Sequence, residues 1–113
     1  MVGFVLHEYY VSPNPDKRHE YTIVFENNTI NFNGNIINDV DVINSIISIM
    51  NEFKERVEKT KTIQYSNYKG GLQENLSFVY DEERYSISGN TNSEEINKLY
   101  KEFKNAVVPI ISK

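Results

Sequence analysis

The strongest constraint on this chain is an internal likeness. Residues 22–35 lie over residues 77–90 without a gap, at a constant offset (77 − 22 = 55). Apolar residues meet at Ile23/Phe78, Val24/Val79, Phe25/Tyr80, Ile30/Tyr85 and Phe32/Ile87. Acid meets acid at Glu26/Asp81, and both segments end in Gly-Asn, at Gly34-Asn35 and Gly89-Asn90. Each segment alternates apolar and polar residues on either side of a polar pair, Asn27-Asn28 or Glu82-Glu83, which is the pattern of a β-hairpin. Each is preceded by another strand-like run, residues 2–11 and 62–68, and followed by a stretch with helical period.

The expected fold is therefore α+β: a tandem βββα-βββα duplication giving a six-stranded antiparallel sheet with two helices packed on one face. All 113 residues are read as a single domain with pseudo-repeats 1–59 and 60–113. Copies joined through their first strands give the spatial order 3-2-1-4-5-6, and joining through the third strands is the alternative. The first helix starts from Asp39 or Asp41 as cap and buries Ile43, Ile46, Ile47, Met50 and Val57. The second is expected to start at Asn92, paired with Glu95 as in a capping box, to bury Ile96, Leu99, Tyr100, Phe103 and Val107, and to stop at Pro109.

Strand alternation then assigns faces. Tyr21, Ile23, Phe25, Ile30 and Phe32, with Leu76, Phe78, Tyr80, Tyr85 and Ile87, form the face that meets the helices, joined by Phe4, Leu6 and Tyr10. The opposite face is mostly polar, as in an antiparallel sheet wet on one side. Its exception is the first strand, which projects Val5, His7, Tyr9 and Val11, and Gln64 and Tyr68 of the fourth strand are expected beside them. Apolar and aromatic groups rimmed by polar ones suit a partner surface. The same face is also open to cover by a loop, by Ile110-Ile111 or by a second copy of the chain.

Chemistry has few footholds. There is no cysteine, hence no disulfide or thiolate site, which suits a reducing, cytoplasmic setting. His7 and His19 match no metal-ligand spacing, and His7 and Glu8, adjacent on a strand, point to opposite faces. Asp81-Glu82-Glu83 read as a solvated turn, and Glu52, Glu55 and Glu58 as a helix surface. Lys69-Gly70-Gly71 can cradle an anion, but the full phosphate-loop pattern is absent, so a hairpin loop is the plainer reading. No catalytic residue, metal or cofactor is assigned. The net charge of −4 disfavours nucleic acid. No apolar run reaches the roughly 20 residues of a membrane span, and Met1 to Leu6 read as a strand, not as a signal peptide.

The function expected is that of a non-catalytic binding protein, of the inhibitor, immunity or adaptor kind, that binds another protein through the open sheet face. The abundance of Asn, Ile, Lys and Tyr, with Ala106 as the lone alanine, points to an A/T-rich bacterial, phage or mobile-element genome. The expected contact residues are Val5, His7, Tyr9, Val11, Gln64, Tyr68, Lys69, Gly70 and Gly71. Two alternatives stand beside it: a nucleotide- or metabolite-binding protein with its pocket between the repeats, and an enzyme without a recognisable motif. A homodimer is compatible with all three.

Overall fold

The computed structural model describes residues 1–10, 13–17, 19–68 and 71–112. The chain forms strands β1 (Val2–Tyr10), β2 (His19–Glu26), β3 (Thr29–Phe32) and β4 (Asn35–Ile37), then helix α1 (Val40–Lys59). Strands β5 (Leu72–Tyr80) and β6 (Glu83–Ser88) follow, and helix α2 (Glu94–Ile111) closes the order. The strands make one six-stranded antiparallel sheet, ordered β4-β3-β2-β1-β5-β6. The fold is thus α+β, with a hairpin on either side of β1 and each hairpin leading toward a helix.

Two of the six strands differ from the expectation. Residues 62–68 do not form a sheet strand: a 3-10 turn at Thr60–Thr62 leads into an extended segment with a single bridge, Asn67 to Thr91. That segment is held beside the loop after β6, where Ser66 N–H donates to Asn92 Oδ1 (2.9 Å) and Tyr68 N–H to the Asn90 carbonyl (3.0 Å). The edge of β1 goes instead to β5, which runs in register from Val2–Tyr80 to Tyr10–Leu72. Pairing with β5 brings Leu76, Phe78 and Tyr80 onto the core face, far more apolar surface than Ile63 and Tyr65 can offer.

The sixth strand is β4, which the sequence reading missed. Asn33 (φ 51°) and Gly34 (φ 89°) form a left-handed two-residue turn between β3 and β4, the geometry Asn-Gly favours. Asn31 Oδ1 accepts from Gly34 N–H at 2.8 Å and Asn33 Oδ1 from Thr22 N–H at 2.9 Å, locking the turn to the sheet.

Two helix ends also differ. The α2 cap is Ser93, whose hydroxyl accepts from Ile96 N–H at 3.3 Å, because the Asn92 side chain is committed to Ser66. Pro109 lies inside α2, which continues to Ile111. So close to the helix end the ring forfeits one hydrogen bond, and burial of Ile111 (4% exposed) holds the last turn in place. At α1, Asp39 is the cap, accepting from Asp41 and Val42 N–H at 2.9 and 3.2 Å.

Both helices lie on the same face of the sheet. Ile43, Ile46, Met50 and Val57 of α1 and Ile96, Leu99, Tyr100, Phe103 and Val107 of α2 are buried, and Ile47 is half-buried. Phe103 is the wedge: its ring meets Phe4 and Phe78 edge-on with centroids at 4.9 Å, and Phe53 of α1 at 5.3 Å. Tyr10, expected in this core, stays 38% exposed at its margin. Among the described residues no helix is long and apolar enough to cross a membrane.

The two long hairpins differ at their tips. Both turns take left-handed backbone at two residues, Asn27-Asn28 (φ 52° and 57°) and Asp81-Glu82 (φ 48° and 73°). The second turn therefore comes one residue earlier than the constant alignment places it. Asn tolerates this conformation, whereas glutamate has no short side chain to satisfy it locally. Replacing Glu82 with glycine should raise stability by about 1 kcal/mol in urea denaturation, since Asp-Gly is the favoured pair for such a turn.

Candidate functional site

The face of the sheet away from the helices is built by the odd-numbered residues of β1. Phe4, Leu6 and Glu8 point into the core, so Gly3, Val5, His7 and Tyr9 point out. The registers place their neighbours in rows across the sheet. Val5 lies between Val24 and Ser77, with Asn31 and Ser86 beyond them. His7 lies between Thr22 and Asn75, and Tyr9 between Glu20 and Gln73. At the other end of the strand Gly3 sits between Glu26 and Val79, with Arg84 beyond Val79.

Three features mark this face. Val5 is 40% exposed although it stands on a central strand, and Ile36, which opposes Asn31 on β4, is 62% exposed. His7 Nε2 lies 3.2 Å from Glu20 Oε1, and the His7 and Tyr9 rings approach to 5.0 Å, making a small polar and aromatic group at the Tyr9 end. Around Gly3 there is a recess lined by Val5, Glu26, Ser77, Val79 and Arg84. Glycine is required at its floor, because a Cβ there would stand 2.6 Å from the Phe25 carbonyl oxygen.

The residues expected to form one contact surface divide into three groups. Val5, His7 and Tyr9 share the open face. Gln64 and Tyr68 are exposed but lie in the segment beside residues 90–92, and β5 takes the place next to β1 that they were expected to fill. Gly71 serves packing, since a Cβ there would meet the Tyr10 ring at 2.6 Å. Val11, Lys69 and Gly70 lie outside the described residues.

Sequence reasoning missed a polar cluster on the other face. Glu8, only 4% exposed, receives the Tyr100 hydroxyl at 2.7 Å and Lys104 Nζ at 2.6 Å, both at Oε1. His19 Nε2 stands 3.9 Å from its Oε2, and Lys104 Nζ lies 5.3 Å from the centre of the Tyr21 ring. Alternation alone puts Glu8 inward. The signal for its partners was Tyr100 and Lys104, four residues apart on α2 and hence on one side of that helix. Burial raises the Tyr100 hydroxyl, and its bond to Glu8 adds to the shift. Burial alone lowers Lys104, but its interactions with Glu8 and Tyr21 together outweigh this and the pKa is raised. The cluster ties β1 to α2 with a charge pair and a neutral phenol.

No family model, curated protein or solved structure matches the chain. Among the described residues, no group of three or more His, Asp or Glu side chains is placed to hold a metal ion.

Glu74 gives this cluster a measurable pH dependence. Its pKa is raised above 4.5, first by burial and then by the Glu8 charge. A carboxylate raised in the folded state stabilises fully below its unfolded pKa, and that contribution is lost as pH rises through the folded value. Glu74→Gln should therefore melt higher than the parent at neutral pH, and the difference should vanish below pH 4.5, as read from melting temperatures across the acid range.

Proposed function

We propose that this chain is a non-catalytic binding protein that receives another polypeptide on the helix-free face of its sheet. One observation carries the reading: Val5, in the middle of a six-stranded sheet, is 40% exposed beside a recess that ends in glycine. A sheet centre of this kind offers a rigid, preorganised surface, so docking on it costs little ordering entropy. Val24, Val79 and Ile36 extend the apolar area, and Thr22, Asn31, Asn75, Ser86, Glu20 and Arg84 supply a hydrogen-bonding rim. The absence of cysteine and the acidic charge fit a cytoplasmic role as an inhibitor, immunity or adaptor protein.

Val5→Asp and Tyr9→Ala test this directly, because both side chains project from the sheet without entering the core. With the purified chain as bait in lysate of its own host, each variant should lose at least about tenfold of the retained partner, as expected for central contact residues. Their melting temperatures should match the parent. Undiminished retention by Val5→Asp would remove this face as the contact.

A further inference from the structure

Two opposite charges stand on the open face, one on either side of β1 and β5. Glu26 and Arg84 lie in one row across the sheet, with Gly3 and Val79 between them in the order Glu26, Gly3, Val79, Arg84. Three strand spacings separate the two charged residues, about 14 Å, too far for them to pair within one chain. Among the described residues neither has an ion-pair partner, while Asp81 and Glu83 nearby are both paired.

We propose that two copies associate face to face about a two-fold axis parallel to the strands and midway between β1 and β5. This rests on the reading of the open face as a protein contact and names the chain's own copy as the partner. The axis exchanges the outer members of the row and the inner members together. Glu26 of each copy comes to lie over Arg84 of the other, so two ion pairs form. Val79 of each copy comes to lie over Gly3 of the other, so each recess receives a valine. An axis on β1 itself would place Arg84 over Thr29 and leave both charges unpaired. The axis between β1 and β5 is thus the one at which charge and shape agree.

Dimensions support the arrangement. Sheets pack about 10 Å apart, a gap that the combined reach of a glutamate and an arginine spans. Four strands, β2, β1, β5 and β6, overlap their counterparts; about 4.8 Å apart and about 20 to 30 Å long, they give on the order of 500 Å² per partner, the low end of specific interfaces and the size of a weak dimer. On the rest of the overlapping face Val5 comes over Ser77, His7 over Asn75 and Tyr9 over Gln73. Such an interface, apolar at its centre and charged at one end, is isologous: the same patch serves both copies.

Sedimentation of the whole chain from micromolar to millimolar concentration tests the proposal. The parent should pass from 13.2 kDa to twice that mass as concentration rises. Glu26→Arg alone and Arg84→Glu alone each place like charges together, and each should weaken the dimer about tenfold or more. Combining them restores opposite charges and should return the dissociation constant toward that of the parent. Neither change touches the core, so a folding defect cannot imitate this pattern of loss and rescue. A parent that stays monomeric at millimolar concentration, or a double variant no better than the singles, overturns self-association. If such a monomer still loses a captured protein through Val5→Asp, only the choice of partner is wrong. If no face variant alters any interaction, the binding reading falls with it.

Discussion

The structure depends on β1 being hydrogen-bonded along both edges. Seven of its nine residues pair with β2 on one side and all nine with β5 on the other, so one strand joins two hairpins that are otherwise distant in sequence. Period-two alternation along β1 then decides both surfaces of the sheet at once. Phe4 and Leu6 enter the core, while Gly3, Val5, His7 and Tyr9 leave it. A slip of one residue would bury His7 and Tyr9 under the helices and expose Phe4 and Leu6, so the register is strongly specified.

The proposed function rests on how unequal those two surfaces are. On one side, Phe103 is held between Phe4, Phe78 and Phe53, and the Glu8 cluster fixes α2 to the same strand. Both helices are drawn to that side, and the other is left as a preorganised sheet surface. Gly3 links the two faces: the close approach of the Phe25 carbonyl forbids a side chain, and the missing side chain opens the recess.

The parts legible in the sequence were those set by local periodicity. The apolar stripes of both helices, the faces of β2, β3, β5 and β6, and the outward direction of Val5, His7 and Tyr9 all follow from residue spacing alone. What failed to read out was set by competition between segments. Residues 62–68 have strand-like alternation, but β5 buries more on the same edge, and that comparison requires the assembled sheet. Asn33-Gly34 carried the turn signal for β4, yet a three-residue strand is too short to show a pattern of its own. Asn92 looked like a cap until Ser66 engaged it, and Pro109 looked like a stop until Ile111 found the core. The Glu8 cluster joins residues 92 and 96 positions apart, so no local rule reveals it. The row of Glu26, Gly3, Val79 and Arg84 likewise exists only once β1 and β5 are paired.

The central claim is that the helix-free face is the surface on which this chain meets another polypeptide. Methyl resonances read both faces at once, because valine and isoleucine occur on each. Spectra recorded on dilution, and again with any captured partner, should show Val5, Val24 and Val79 moving while Ile46, Val57 and Val107 of the core side stay in place. Shifts confined to the helices, or an open face that stays silent at every concentration and with every partner, would contradict the account.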